Sequence, residues 1–251
     1  MPKARIAATR ALEIDGELAE AHTVLAYVQA QYDFDWKAAE SSYLRAIELN
    51  PNHANTRQWY GEFLVFQARY DESLVQMQKA IELDPTSLSA HTAPALAYNA
   101  SRQFTRALET TDKVLQMDAN FLIARHYRAR ALFFSGDRKA GLAESQRVVE
   151  DSNGIIHFKA DLGFFHGMVG NVEAARQILS ELTETAKQKH VSPYHIALVH
   201  IGLGEKEKAF ELLEKAVSEH DNNVIVMNVG LNFDVVRDDP RFVKILRSAN
   251  F

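Results

Sequence analysis

A seven-residue pattern recurs along this chain at a fixed interval. Residues 45–51 read RAIELNP and residues 79–85 read KAIELDP, so that the two prolines lie 34 residues apart. The same step forward from Pro85 reaches VLQMDA at 114–119, and a step of 35 residues backward from the first copy reaches ALEIDG at 11–16. Because self-similarity at such an interval is the signature of stacked structural repeats, the chain is predicted to be a repeat array.

Each repeat contains two apolar patterns with helical spacing, which predicts a pair of helices. In the unit that ends at Pro85, NTRQWYGEFLVFQARY is followed by DESLVQMQKAIELD. The residue before a proline is pushed out of the helical region, so Asp84-Pro85 is expected to end the second helix. Small residues keep the 34-residue step at Gly61, Ala95, Ala129, Gly163 and Ala197. They are expected where two helices cross closely.

These spacings resemble the tetratricopeptide repeat over almost the whole chain. The small residue that this family places at position 8 of each unit is found at Ala26, Gly61, Ala95, Ala129, Gly163 and Ala197, and its Ala at position 20 at Ala39, Ala107, Ala175 and Ala209. The resemblance implies an all-α fold, a right-handed superhelical solenoid of antiparallel helix pairs. The first helix of each pair would line a concave groove.

The repeat phase divides the chain into three parts. Residues 1–18 are predicted to be the second helix of a truncated repeat, and residues 19–223 six units that begin near 19, 54, 88, 122, 156 and 190. Residues 224–251 are expected to cap the array, with Asp239 as the N-cap and Pro240 in the first turn of a short helix. Because the chain begins on half a unit, we expect it to be a piece of a longer polypeptide.

Three stretches carry a narrower resemblance. YDFDWKAAESSYLRAIELNP (32–51), VSPYHIALVHIGLGEKEKAFELLEKAV (191–217) and FDVVRDDPRF (233–242) are similar to the C-terminal repeat region of bacterial multidomain signalling proteins. The N-terminal portions of those proteins carry a CadC-type winged-helix domain, a cyclase domain or a serine/threonine kinase domain. The resemblance implies the sensory or scaffolding part of a signalling or transcription regulator, with an output domain of the same polypeptide as one partner.

Composition restricts the functional class. The formal net charge is -5, with both signs interspersed among 24% charged residues, which argues against direct nucleic-acid binding. The chain has no Cys, so disulfides, thiol catalysis and Cys-ligated zinc are excluded. No apolar run approaches the roughly 18–20 residues that a membrane-spanning helix needs. We expect a cytoplasmic location, with the periplasm as the alternative if a membrane anchor precedes the fragment.

Motifs of catalysis and metal binding are missing. The sequence has no His-Glu-x-x-His, no Gly-x-Ser-x-Gly and no phosphate-binding Gly-rich loop. Among the ten histidines, His157 and His166 are nine residues apart and His195 and His200 five apart, neither of which is the i,i+4 spacing of a helical metal pair. We therefore predict no enzymatic activity, no metal and no cofactor, and ordinary structural roles for the histidines.

The groove is predicted to be lined by positions 2, 5, 9 and 12 of the first helices. Aromatic, arginine and amide side chains at these positions suit a peptide or protein partner. The predicted binding residues are Tyr27, Asn55, Gln58, Glu62, Thr92, Asn99, His126, Arg130, Phe133, His157, Phe164 and Tyr194, together with Thr23 and Leu96.

The segment RHYRAR at 125–130 places three arginines on one helix, which favours an acidic partner. The alternative is that Arg125 and Arg128 are solvated or paired with neighbouring Glu, and that Phe133 and Phe164 belong to the core. The leading hypothesis for function is a non-catalytic protein–protein interaction module. The second is a structural scaffold that self-associates through the solenoid ends or the convex face.

Overall fold

The computed structural model describes residues 1–251 as fourteen α-helices and no strand, which confirms the all-α prediction. The helices are α1 (Pro2–Ile14), α2 (Ala19–Val28), α3 (Trp36–Leu49), α4 (Ala54–Phe66), α5 (Tyr70–Leu83), α6 (Leu88–Ala100), α7 (Phe104–Met117), α8 (Leu122–Ser135), α9 (Arg138–Asp151), α10 (Ile156–Met168), α11 (Val172–Ala186), α12 (Pro193–Gly202), α13 (Lys206–Ser218) and α14 (Pro240–Ser248). From α2 to α13 they pack as six successive pairs that form a solenoid. None of them combines the length and the apolar character that crossing a bilayer requires.

The two proline-containing copies of the recurring pattern end the second helices α3 and α5, as the local chemistry predicts. Helix α5 ends at Leu83, and Asp84 already has an extended backbone (φ -134°, ψ 82°) ahead of Pro85. The helix that follows, α6, begins on a side-chain cap, since Ser87 Oγ accepts from the Ala90 amide at 3.2 Å. Helix stop and helix start are thus encoded within a few residues of each other.

Small residues of the 34-residue series lie at close helix crossings. A Cβ atom placed on Gly61 would be 2.8 Å from Cγ of Met77, across the α4–α5 contact. One placed on Gly163 would be 2.8 Å from Cγ2 of Val199, on the first helix of the next pair. Real Cβ atoms do not approach other atoms so closely, so these positions must stay small for the helices to pack at this distance.

The C-terminal segment does more than cover the last helix pair. After α13 it forms two short 3₁₀ turns, Asn222–Val226 and Leu231–Phe233, before α14. Ile225 and Val229 of this segment are buried with Tyr60 and Phe63 of α4. Because α4 belongs to the second pair and α13 to the sixth, residues 222–233 cross the concave face; we call them the crossing segment. They occupy part of the predicted groove.

The two ends of the solenoid meet. The indole Nε1 of Trp36 donates to the backbone oxygen of Asn250 at 2.9 Å, and the Asn250 amide donates to the backbone oxygen of Phe34 at 3.1 Å. The ring of Phe251 stacks on Trp36 at 4.6 Å, and His220 stacks on Tyr32 at 5.0 Å. The turn between α2 and α3 therefore contacts the end of α13 and the residues after α14, which closes the array on itself.

Candidate functional site

A pocket of about 530 Å³ remains on the concave face between the first helices and the crossing segment. We call it the groove pocket. Its walls come from α4, α6, α8, α10 and α12 on one side and from residues 222–231 on the other. Half of its lining residues are hydrophobic if Tyr127 and Tyr194 are counted for their rings. Its polar and charged lining residues are Glu62, Asn99, His126, Tyr127, Arg130, His157, Asp161, Tyr194, His195, Asn222 and Asn223.

Six of the twelve predicted binding residues line the groove pocket. They are Glu62, Asn99, His126, Arg130, His157 and Tyr194, and Leu96 lies with them. Their role in binding stays a prediction, but their convergence on one cavity follows from the repeat phase. Successive first helices present the same positions to the concave face, so residues about 34 apart in sequence become neighbours.

The remaining predicted residues lie at its margin or away from it. Gln58 donates through Nε2 to Glu62 at 2.8 Å, and Tyr27 packs on Trp59 with ring centroids 5.1 Å apart, beside Glu62. Asn55 is exposed at the start of α4. The hydroxyls of Thr23 and Thr92 are buried and donate to backbone oxygens of their own helices.

Phe133 and Phe164 do not face the groove, so the prediction that they line it is wrong. Phe133 is 2% exposed and its ring stacks on Phe165 of α10 at 3.9 Å. Phe164 is fully buried, and its backbone lies very close to Gly202 of α12. A Cβ atom on Gly202 would be 2.5 Å from the backbone oxygen of Phe164. Both residues lie where one first helix packs against the next. They belong to the core, as the alternative interpretation held.

A buried polar network joins two first helices to the crossing segment. Arg130 of α8 donates through Nη1 to Oδ2 of Asp161 on α10, and through Nη2 to Oδ1 of Asn232 at 2.7 Å. Asn232 in turn donates through Nδ2 to Oδ1 of Asp161 at 3.1 Å. Burial alone would raise the pKa of Asp161, but the charge and the hydrogen bond of the Arg130 guanidinium outweigh burial and hold that pKa below its usual value. The carboxylate and the guanidinium neutralise each other.

Three histidines in the groove pocket are neutral at physiological pH. Burial lowers the pKa of His126 to about 3 and that of His195 to about 4, and it lowers the pKa of His157 as well. Nε2 of His126 lies 3.6 Å from Oδ2 of Asp161, beyond hydrogen-bond distance. No group of three or more His, Asp or Glu side chains is arranged to hold a metal ion.

The three arginines of RHYRAR are all paired within the chain. Arg125 donates through Nε to Glu144 at 2.9 Å and also pairs with Asp151, while Arg128 donates to Asp112 at 2.8 Å. Arg130 is held by Asp161, as described above. The prediction of an acidic partner assumed free guanidinium groups on this helix, and that assumption is wrong.

The groove pocket contains polar atoms without partners. Asn99 is 3% exposed; its Nδ2 donates to the backbone oxygen of Tyr127 at 3.1 Å, which fixes the amide orientation, while Oδ1 has no partner. Nδ1 of His195 is also unpartnered. Glu62 accepts from Gln58, but no cation pairs with it, and burial raises its pKa. The open positions of this pocket are mainly hydrogen-bond acceptors.

Sequence reasoning missed Tyr127, Asp161 and His195, which share position 6 of their units. A polar residue at position 6 in three successive repeats was a visible signal, since position 5 was already assigned to the groove and position 6 is the adjacent residue. Asn232 carried no such signal. It lies outside the repeats, and its bond to Arg130 spans 102 residues.

Comparisons with known proteins agree with this architecture. A family model for the tetratricopeptide repeat matches residues 194–219. The chain is 24% identical over 153 residues to anaphase-promoting complex subunit 3 of Schizosaccharomyces pombe, covering 59% of this chain and 23% of that protein. It is 35% identical over 78 residues to the type IV pilus assembly protein PilF of Pseudomonas aeruginosa, covering 31% of each. The chain thus matches about a quarter to a third of the length of these relatives.

Solved structures with the same fold cover most of the chain. PilW, a type IV pilus biogenesis factor, superimposes with a TM-score of 0.59 at 22% identity over 73% of this chain and 84% of its own. A tetratricopeptide repeat protein from Parabacteroides merdae gives 0.63 at 12% identity over 98% and 91%. A chain of the Cut9–Hcn1 hetero-tetramer gives 0.66 at 12% identity over 99% and 46%. The chain thus matches the tetratricopeptide repeat at residues 194–219 and shares the fold of these repeat structures over most of its length.

Proposed function

We propose that this chain is a non-catalytic interaction module that takes a side chain or short peptide segment of its partner into the groove pocket. The observation that carries the proposal is Oδ1 of Asn99, an acceptor in a 3% exposed residue that has no partner and lines a cavity of about 530 Å³. An unsatisfied buried acceptor costs about 1–3 kcal/mol. A ligand that donates to it would recover that free energy.

The size and lining of the cavity support a peptide ligand. Small-molecule and cofactor pockets commonly measure about 300–1,000 Å³ and combine an apolar wall with a few polar groups, and this cavity has the same size and character. Phe66, Leu96 and Leu198 supply the apolar wall here. Because the crossing segment already occupies part of the concave face, the cavity admits a few side chains and not a long extended chain.

The relatives support a role within an assembly. The two curated relatives are named as a subunit of a complex and as an assembly protein. We propose in addition that the module serves a bacterial signalling or transcription regulator, with an output domain of the same polypeptide among its partners. That context rests on the resemblance of residues 32–51, 191–217 and 233–242 alone.

The test is a selection of peptides on the immobilised chain from a random 12-residue library, with affinities then measured by calorimetry. Ile123 lines the groove pocket and is 39% exposed, so Ile123→Trp should obstruct the cavity without disturbing the core. Ile155 is 44% exposed and does not line it, which makes Ile155→Trp the matched control. We expect Ile123→Trp to weaken binding at least tenfold and Ile155→Trp to leave it unchanged.

Two results would contradict the proposal. If the library yields no binder to the folded chain, the groove pocket is not a peptide site. If selected peptides bind both variants with the affinity of the native chain, the binding surface lies elsewhere. Circular dichroism of each variant checks that the helices are intact.

One observation favours self-association as a second function. On α1, Ile6 is 66% exposed and Ile14 83% exposed, so an apolar strip faces solvent at this end of the solenoid. A second copy stacking there would bury it. Sedimentation equilibrium over a hundredfold concentration range tests this, with Ile14→Lys expected to lower any association; a constant monomer mass would exclude it.

A further inference from the structure

One carboxylate in the groove pocket has no cationic partner. Three charged residues line the cavity, and two of them, Arg130 and Asp161, form an ion pair. The histidines are neutral, so Glu62 is the uncompensated charge. Gln58 Nε2 donates to its Oε1 at 2.8 Å, and no lysine, arginine or histidine is paired with it.

The surroundings of Glu62 suit a cation. Aromatic side chains lie beside it: Tyr27, Tyr43, Trp59 and Phe66 line a gap of only about 10 Å³ next to Glu62, and the rings of Tyr27 and Trp59 are 5.1 Å apart, so a ligand would approach from the groove pocket. Aromatic faces attract lysine and arginine through their quadrupoles, and more strongly where water is excluded. Rings beside a carboxylate therefore favour a positive group over a negative or neutral one.

A second open group of the cavity is an acceptor. Oδ1 of Asn99 is unpartnered and oriented by the bond from its own Nδ2 to the Tyr127 backbone oxygen. A lysine ammonium has three donors and an arginine guanidinium five, and neither has an acceptor. A basic group can thus donate to acceptors of this cavity, which an ionised acidic side chain cannot.

We propose that the groove pocket recognises a basic side chain of the partner, lysine or arginine, with the Glu62 carboxylate as its counter-ion and Asn99 Oδ1 as a second acceptor. The inference rests on the proposed peptide-binding function and assigns the ligand class at the same site. It reverses the charge that RHYRAR suggested. Those guanidinium groups form ion pairs with carboxylates of the chain itself, whereas the carboxylate of Glu62 forms none.

A buried charge without a partner is costly, which is the physical reason for the assignment. Burial raises the pKa of Glu62, and the hydrogen bond from Gln58 offsets this only in part. An arriving cation would favour the ionised form and form a charge-assisted hydrogen bond, which is about twice as strong as a neutral one.

The experiment compares parallel selections from the random 12-residue library on the native chain, on Glu62→Gln and on Glu82→Gln. Gln at position 62 can still accept from Gln58, so the fold should persist; thermal unfolding checks this. Glu82 is exposed on α5, so Glu82→Gln removes the same charge from a different surface and serves as the control. Selected peptides are then resynthesised with each lysine replaced by norleucine and each arginine by citrulline, which separates the two sources of positive charge.

We expect the native chain and Glu82→Gln to select peptides enriched in lysine or arginine, and Glu62→Gln to lose the enrichment. For a selected peptide, Glu62→Gln and the neutral peptide analogue should each weaken binding by about tenfold to a hundredfold. Combined, they should weaken it little further, because both remove the same interaction.

The outcomes separate this inference from the proposed function. Peptides that Ile123→Trp excludes but that carry no excess of basic residues would overturn the ligand class and leave the peptide site in place. Basic peptides that bind Glu62→Gln as tightly as the native chain would overturn the role of Glu62. A library that yields no binder would overturn both.

Discussion

Removing Arg130 should strongly destabilise the fold, because it isolates a buried carboxylate. Asp161 is 5% exposed, and its hydrogen-bond partners are the guanidinium of Arg130 and the amide of Asn232. Arg130→Met keeps an apolar stem of similar length but removes both of its hydrogen bonds. The carboxylate of Asp161 would then keep one neutral donor, and the crossing segment would lose one of its two bonds to this network.

The expected loss follows from the burial of the pair. Removing one partner of a buried ion pair typically costs about 3–5 kcal/mol of unfolding free energy, because the other charge stays in a poorly solvated site. Asp161→Asn in the same chain removes that charge, so the double variant should recover most of the loss. Arg128→Met is the matched control on the same helix. Its pair with Asp112 is 33% and 53% exposed, and such surface pairs contribute about 0–1 kcal/mol.

Urea unfolding, followed by circular dichroism and tryptophan fluorescence at pH 7.5 and at pH 5, measures these differences. The deficit of Arg130→Met should shrink at pH 5: without its cation, Asp161 loses the interaction that holds its pKa low, and burial then favours its protonated form. The reasoning would be refuted if Arg130→Met cost no more than Arg128→Met. It would also be refuted if Asp161→Asn failed to recover stability in the double variant.

Further predictions concern pH, packing and closure of the array. The pKa of His126 is about 3 in the fold against 6.5 ordinarily, so its stabilising contribution is complete above about pH 6.5 and is lost as the pH falls toward 3. His126→Gln should therefore lower the pH dependence of the unfolding free energy by about 1.4 kcal/mol per pH unit in this window; an unchanged slope from urea titrations would exclude the assignment. Gly61→Ala should cost about 1–3 kcal/mol through overpacking against Met77, whereas Gly16→Ala, whose Cβ would lie 3.8 Å from its nearest neighbour, should not destabilise; equal melting temperatures would contradict this. Trp36→Leu removes the ring and the donor that hold the last two residues, so hydrogen exchange should accelerate in α14 and not in α8.

The helix pairs were predictable because their signals are local. Asp84-Pro85 stops α5 through the sterics of a single peptide unit, and Ser87 caps α6 three residues later. A single small residue such as Gly61 does not predict how closely its helix approaches the next one. Because small residues recur at the same position of each repeat, together they predict a close helix crossing in every unit. The pattern of one repeat is too weak to predict a helix pair, but six copies in the same phase are sufficient.

The path of the crossing segment was not predictable from local pattern. VIVMNVGLNF reads as an apolar run without helical periodicity, which is compatible with a cap on the last pair. What directs it across the concave face is a set of contacts between distant residues. Asn228 donates to the backbone oxygen of Phe66, 162 residues away, and Asn232 accepts from Arg130, 102 residues away. No pattern within a repeat encodes such pairs.

The charge of the groove was unpredictable for a related reason. In the sequence, the three arginines of RHYRAR outnumber Glu62, so the groove was expected to be basic. Counting charged residues does not show which of them form ion pairs within the chain. The partners of Arg125 and Arg128 lie 16 to 26 residues away, on neighbouring helices, and that of Arg130 lies 31 residues away on the next first helix. Once these are paired, the sign of the remaining charge in the cavity is set by Glu62 alone.

The crossing segment also decides what kind of recognition the groove allows. An open solenoid groove can hold an extended peptide and read it along its backbone. Here residues 222–233 already lie on the concave face, fixed by Asn232 at one helix pair and by Asn228 at another. A partner would therefore enter end-on, through one or two side chains, and its affinity would depend on how well those side chains satisfy Asn99 and Glu62. Because the cavity is formed before binding, little ordering entropy opposes the interaction, and a short basic segment can suffice where a longer chain would be excluded.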